Sequence, residues 1–353
     1  MPVTALQAIL QAAAIFLLLL KFILQRVSIK GWTLAAVLVL IGFISWRTSK
    51  EGWLFWLAIF VTCAQGVRLK PLACTCLITA TSFTLVTVIF ASYNIIENIV
   101  SVRLDIVRYA MGFSQPNNFG IFLLLICISL SVLRFGKNPL LDIIVISAAV
   151  LVNLLIADSR SMAVLAILQA VVLVIFYNVN SSHCRRIASI GFVILAVMLF
   201  ITSIYFMIYY NGNNAIHYTI NRLLSGRLNL AHEYYQMQPL TLFGSSFEEF
   251  PPIYWQDGQP YTFVVDNAWC HVILRYGIVP SACLLLGICL LFWKMIKNLE
   301  WDALLFGMTL MMVYGFSETL GIRFECNYFL YAIGAKLLFP ETTVNELKSM
   351  YNS

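Results

Sequence analysis

Four stretches of this chain carry ionisable side chains that an apolar sequence has no ordinary use for. They are Arg108-Tyr-Ala-Met-Gly112-Phe-Ser-Gln-Pro116-Asn117-Asn118; Asp158-Ser159-Arg160; Arg222-Leu-Leu-Ser225-Gly226-Arg227-Leu-Asn229 with Glu233; and Asp266-Asn267-Ala-Trp269 with His271 and Arg275. Their shared member is arginine. A guanidinium is a rigid fork of donors that matches phosphate oxygens and cannot lose its charge. Such a set suits an anionic ligand, a pyrophosphate first of all. The plain alternative is that each arginine pairs with a nearby acid such as Asp105, Asp158, Glu233 or Glu325.

Each stretch also has a local reading. Asp158-Ser159-Arg160 interrupts an apolar run from Leu140 to Phe176, so it is either a functional charge or a tight turn closed by an Asp–Arg pair. Ser225 or Gly226 can cap a helix running to Gln236, which puts Arg227 in a first turn whose free N–H groups favour an anion. A solvated arginine on an amphipathic surface helix explains it equally well. Asp266 reads as the N-cap of the next helix. His271 and Arg275, four residues apart, share a face of it. Pro116 forbids smooth helix entry, and Asn117 or Asn118 is expected to cap the fifth span.

The elements that must hold these residues are membrane helices. The chain has 353 residues, of which 61% are hydrophobic and 11% charged, and its mean hydropathy is +0.87. A soluble domain carries about 25% charged residues, so this chain cannot cover a water-facing surface. The net charge of +6 suits anionic headgroups, and no basic run marks a nucleic-acid site. The nine cysteines fall mostly in apolar spans as small hydrophobes. A Cys270–Cys326 bridge is the one pairing to test, and Cys74 with Cys76 is too little for zinc. A spanning helix needs about 20 apolar residues. Candidate spans are 5–24, 32–46, 53–67, 72–92, 119–133, 140–157, 161–177, 187–209, 268–292, 303–317 and 327–339, about eleven in all. The first is long enough to span, and no small-residue cleavage site comes after it.

Arg26/Lys30, Arg68/Lys70, Arg134/Lys137, Arg185/Arg186 and Lys294/Lys297 occupy every second loop. The positive-inside rule makes those loops cytoplasmic, with Arg47 and Lys50 against the pattern. Every outward or intramembrane basic residue except Lys50 is then an arginine: Arg47, Arg103, Arg108, Arg160, Arg222, Arg227, Arg275 and Arg323. Two outward segments exceed a turn, 93–118 and 210–266. The second is too aromatic for disorder, and its stretch 216–237 has the spacing of a helix lying on the membrane.

In order and shared location, the four stretches resemble the O-antigen ligase and Wzy polysaccharide polymerase superfamily over about 105–285. The residues concerned are Arg108 with Gly112, Phe113, Pro116 and Asn117, then Ser159-Arg160, then Gly226-Arg227. Asp266-Asn267 comes next, with Gly277 further on, and Pro239-Leu-Thr-Leu-Phe243-Gly244 matches a further segment. The resemblance implies an all-α, GT-C-like membrane glycosyltransferase in the bacterial cytoplasmic membrane, with an extracytoplasmic site and no metal or other cofactor. Its ligands would be polyprenyl-pyrophosphate-linked oligosaccharides, and its partners membrane lipids and other polysaccharide-assembly proteins. Arg160 and Arg227 would bind the donor pyrophosphate, with Arg108, Arg222 and Arg275 as further candidates. The ligase branch carries a histidine where Asp266 stands, which favours a repeat-unit polymerase over a ligase. Asp266 is then the first candidate for general base, with Glu233 and His271 as alternatives. Tyr234, Tyr235, Tyr254 and Trp255 could stack on sugar faces or anchor the loop at the interface. The rival class is a transporter or flippase for a lipid-linked or anionic solute, which needs charge at the midplane and broken helices. A sensor or scaffold would need none of the arginines.

Overall fold

A computed structural model describes residues 3–25, 27–103, 106–224, 226–246, 254–256, 259–261 and 265–339. In chain order the elements are helices α1 (Val3–Leu24), α2 (Ile29–Ser49), α3 (Trp53–Thr62) and α4 (Leu69–Ser92), hairpin β1 (Val100–Arg103) and β2 (Ile106–Tyr109), then α5 (Pro116–Arg134), α6 (Leu140–Ile156), α7 (Arg160–Asn178) and α8 (Ser182–Tyr209). Next come α9 (Ala215–Leu223), α10 (Arg227–Met237), hairpin β3 (Tyr254–Gln256) and β4 (Gln259–Tyr261), α11 (Ala268–Tyr276), α12 (Ile278–Lys297) and α13 (Ala303–Tyr314). Six of the helices, α2, α4, α5, α7, α8 and α12, are long and apolar enough to cross a membrane. The chain is an all-α multi-pass membrane protein.

The helices show why lipid must be the solvent. On α4 the buried residues are Ala73, Ala80, Thr84, Thr87 and Ala91, while Ile78, Phe83, Leu85, Val86, Ile89 and Phe90 face outward. A water-soluble helix would place these the other way round. Small residues let α4 lie close against α5, the usual basis of helix packing where no hydrophobic force separates protein from solvent. On α2 the buried set is Gly31, Ala35, Gly42, Ser45 and Ser49. A Cβ at Gly42 would lie 3.1 Å from Phe55 Cα of α3.

The chain forms two compact units. One comprises residues 1–67, 201–294 and 330–353; the other comprises 68–200 and 295–329.

In the first unit, the expected span 268–292 is two helices. The break falls at Gly277, with φ 90°. Pro280 causes it in part: it has no N–H, and its ring would collide with the Tyr276 carbonyl of a continuous helix. That carbonyl accepts a hydrogen bond from Ser45 Oγ instead, at 3.0 Å. The expected helix at 327–339, which starts in the second unit and enters the first at Leu330, is a 3₁₀ turn at Tyr328–Leu330 and then π turns at Ile333–Leu338. Within it Gly334 presses on α3, where a Cβ would meet the Val61 carbonyl oxygen at 1.9 Å. The surface stretch 216–237 is also two helices, α9 and α10, and α9 is the more amphipathic. Its Ile216 and Tyr218 are exposed.

In the second unit, α5, α6 and α7 pack on one another and α13 packs on α5 and α7. The hairpin β1–β2, which the sequence did not announce, pairs Ser101 with Arg108.

Candidate functional site

In the first unit α10 packs on α11, and α11 packs on α2. Gly226, at φ 85°, is the N-cap of α10 and makes no side-chain cap bond, so Arg227 opens the helix as expected. At the start of α11 the cap is Asn267 rather than Asp266. The Asn267 side chain accepts from the N–H groups of Trp269 and Cys270, and its amide donates to Ser203 Oγ at 2.9 Å. Asp266 is thereby released from capping, and its carboxylate takes a hydrogen bond from Arg227 Nε at 2.9 Å across 39 residues of sequence. The Arg227 side chain is 11% exposed and that of Asp266 33%. Two of the stretches singled out by arginine chemistry thus meet, in an arginine–acid pair of the kind the plain alternative expects.

The same helix carries a second ion pair. Arg275 Nε donates to Glu51 Oε2 at 2.7 Å, joining α11 to the segment between α2 and α3. Burial works to raise the Glu51 pKa. The charges of His271 and Arg275 and the hydrogen bonds from Arg275 and Tyr276 outweigh it, so the carboxyl sits below its ordinary range. His271 is buried, and its ring lies 6.0 Å from that of Tyr276. Glu51 is a site residue that sequence reasoning missed. As a lone carboxylate in a short polar link between two apolar helices, it carried the same signal as the arginines.

Residues 241–245 lock α11 in place. Ser245 N donates to the Arg275 carbonyl, Ile278 N to Thr241 and Val279 N to Leu242, while Thr48 Oγ1 donates to the Phe243 carbonyl at 2.6 Å. Gly244, at φ 91°, and Gly277, at φ 90°, lie backbone to backbone. A Cβ on Gly244 would fall 2.2 Å from the Arg275 carbonyl oxygen, and one on Gly277 2.2 Å from Gly244 N. This contact explains why both positions are glycine.

In the second unit Arg108 is buried at 9% exposure. Its Nε donates to the Ala157 carbonyl at 2.8 Å and its Nη2 to Asn117 Oδ1 at 2.7 Å. Asn117 Nδ2 reaches the buried Glu318 at 3.4 Å. Neither Asn117 nor Asn118 caps α5. Gln115 stands at the cap with Pro116 as the first helical residue, which leaves the Asn117 amide to orient Arg108. Ala157 leads directly into the Asp158-Ser159-Arg160 turn, so Arg108 touches the turn that the sequence placed beside it in function.

That turn is fixed. Asp158 has φ 43°, the Asn153 carbonyl accepts from Ala157 N and Asp158 N, and Asn153 Nδ2 donates to the Ser159 carbonyl at 2.9 Å. A Cβ on Gly120 of α5 would stand 2.8 Å from Asn153 Oδ1 and 2.9 Å from Ser159 Cβ. Arg160 begins α7 and is exposed, and its side chain makes no hydrogen bond or ion pair with the described residues. The expected Asp158–Arg160 pair is not among the ion pairs of the described residues.

Other expected site residues divide. Glu233 accepts from Asn229 Nδ2 rather than from an arginine. Arg222 is exposed at the end of α9. Tyr234 is 4% exposed and packs with Met207, Leu230, Val265, Cys270 and Leu274, so its ring is core rather than a sugar platform. Tyr235 packs against the same cluster. Tyr254 and Trp255 lie on β3, and their side chains are outside the described residues, as is Asp105. Cys270 and Cys326 are both free thiols. Among the described residues no three His, Cys, Asp or Glu side chains could jointly hold a metal ion.

Compared with protein-family models, with curated proteins and with solved structures, the chain finds no match.

Proposed function

We propose that this protein is a bacterial cytoplasmic-membrane glycosyltransferase of the Wzy type, crossing the membrane about eleven times, that polymerises polyprenyl-pyrophosphate-linked oligosaccharides on the extracytoplasmic side. The observation that carries the reading is the Arg227–Asp266 contact. It joins two stretches chosen for their chemistry and far apart in sequence. The Arg108 bond to the Ala157 carbonyl, one residue before the Asp158-Ser159-Arg160 turn, supports the same logic in the second unit.

In this reading a sugar hydroxyl of one lipid-linked repeat attacks the anomeric carbon of the chain carried on a second lipid. The C–O bond to pyrophosphate breaks with inversion, and the hydroxyl proton passes to a base. Negative charge grows on the leaving diphosphate, and arginines aimed at it stabilise that charge. The diphosphate competes with Asp266 for Arg227. Donor binding would thereby free the Asp266 carboxylate to accept the hydroxyl proton. Glu233 and His271 remain second choices, and Arg275 serves through its tie to Glu51.

The break at Gly277 is what a transporter would use, but transporters pair such breaks at corresponding positions. The deciding experiment reconstitutes the protein with labelled lipid-linked repeats and tracks both bond formation and movement across the bilayer. Polymer made by wild type and reduced roughly 100-fold or more by Arg227→Lys supports the reading. Movement of the lipid without a new bond refutes it, as does full polymer yield from both Arg227→Lys and Arg160→Lys.

A further inference from the structure

The second unit holds a pocket at the far end of α5 from Arg108. The 19 residues of α5 at 1.5 Å each separate the two ends by about 28 Å. The pocket is small, about 40 Å³, and opens to the surface, and Ser131, Arg134, Lys137, Asp142, Phe176 and Tyr177 are among its walls.

Its chemistry has two halves. At the rim are two cations. Lys137 is exposed, and its ammonium has no partner among the described residues. Arg134 donates from Nε to Asp142 Oδ2 at 3.1 Å and from Nη2 to the Asn138 carbonyl. Toward the interior is an acceptor short of a donor. Asp142 is 2% exposed and its Oδ1 has no hydrogen-bond partner among the described residues. Buried polar atoms are nearly always satisfied, so an orphaned carboxylate oxygen on the wall of a cavity asks for a donor. The aromatic wall is preformed: Trp301 stacks on Phe176 with ring centres 3.9 Å apart and donates Nε1 to the Phe176 carbonyl.

A positive group bearing N–H donors suits the carboxylate and the aromatic faces, and a phosphate suits the rim. One short molecule that offers both, at the depth where apolar helices end and headgroups begin, is a phosphoethanolamine diester. The geometry points to a binding site for a phosphoethanolamine headgroup in this pocket, its ammonium toward Asp142 and its phosphate against Arg134 and Lys137. This inference does not rest on the proposed glycosyltransferase activity.

The test is native mass spectrometry and thermal unfolding of the full-length purified protein in micelles titrated with phosphatidylethanolamine, phosphatidylcholine or phosphatidylglycerol of matched acyl chains. Phosphatidylcholine keeps the positive charge but has no N–H to donate. Phosphatidylglycerol keeps the phosphate and has no cation. Phosphatidylethanolamine should be retained at roughly tenfold lower concentration than either and should raise the melting midpoint. Lys137→Gln, at an exposed position, should weaken its retention severalfold, and Asp142→Asn should erase the preference over phosphatidylcholine. Soluble glycerophosphoethanolamine competing at equal concentration would support the site and name a free metabolite as its source. Failure to compete would leave the lipid as the source. Equal retention of phosphatidylethanolamine and phosphatidylcholine by wild type, preference for phosphatidylglycerol, or no effect of Lys137→Gln overturns the proposal. The Lys137 variant keeps it open to refutation even if Asp142→Asn does not fold.

Discussion

The contact between Gly244 and Gly277 allows a prediction whose size can be worked out from geometry. Consider Gly277→Ala. Its φ of 90° and ψ of 173° fall in a region essentially closed to residues with a Cβ, which costs about 1–3 kcal/mol. The new methyl would also lie 2.2 Å from Gly244 N and 2.7 Å from the Leu242 carbonyl oxygen. Relieving that overlap means moving residues 241–245 by roughly 1 Å, against a normal contact of about 3.5–4.0 Å. The shift strains the three backbone hydrogen bonds from Ser245, Ile278 and Val279, each worth about 1 kcal/mol net. The expected loss is about 3–6 kcal/mol. Gly244→Ala should cost as much for the mirrored reason, with its methyl 2.2 Å from the Arg275 carbonyl oxygen. Both methyls demand the same separation of backbones, so the double variant should fall short of the sum by at least about 1 kcal/mol. Gly66→Ala is the control. It shares a positive φ, 69°, but nothing lies within 4 Å of its added Cβ, so only about 1–2 kcal/mol of conformational strain applies. Reversible unfolding in mixed detergent micelles measures all four. If either Gly277→Ala or Gly244→Ala behaved like Gly66→Ala, or the two were strictly additive, the argument from backbone apposition would be wrong.

Three further outcomes are expected. Glu51 has a folded-state pKa below its ordinary value of 4.5, so its contribution to stability is complete above that value and is lost as pH falls through the depressed one. Glu51→Gln should flatten stability between about pH 5 and pH 3 by about 1 kcal/mol, the size of a pair that water still reaches, as read by unfolding midpoints across that range. Arg108→Lys should destabilise by about 2 kcal/mol, because one ammonium cannot serve both the Ala157 carbonyl and Asn117 as the fork does, and unfolding midpoints of the purified variant check it. In intact cells Cys184, exposed near the start of α8, should react with a membrane-permeant maleimide while buried Cys270 and Cys326 stay unmodified. Labelling of Cys184 by a membrane-impermeant reagent would reverse the orientation drawn from Arg185 and Arg186.

Membrane character is fully legible in the sequence because it depends on composition, and composition survives any error in pairing. The helices over 53–62, 116–134 and 160–178 fall where apolar length places them. Hydropathy cannot see the break at Gly277, since apolar residues flank it on both sides and part of its cause is steric, the Tyr276 carbonyl colliding with Pro280. Nor can it see that Tyr328–Leu338 abandons the α-helix, a matter of how closely Gly334 approaches α3. Within the candidate site, Arg227, Asp266, Arg108 and Arg160 stand out individually because charge is rare here. Which acid each would meet is not readable, because partner choice depends on packing. Asp266 gives up its cap to Asn267, and Glu51 claims Arg275 from 224 residues away. Tyr234 misleads because an aromatic in a long polar segment looks exposed until the helix that buries it is known.

The clamped turn before Arg160 has a kinetic consequence. Backbone and side-chain bonds from Asn153, together with the press of Gly120, leave that turn with no slack. All the freedom at this place belongs to one long cationic side chain. An anion arriving there would meet an outstretched arm on a rigid footing, so capture should be fast, sensitive to salt, and free of any waiting time for a flap to open.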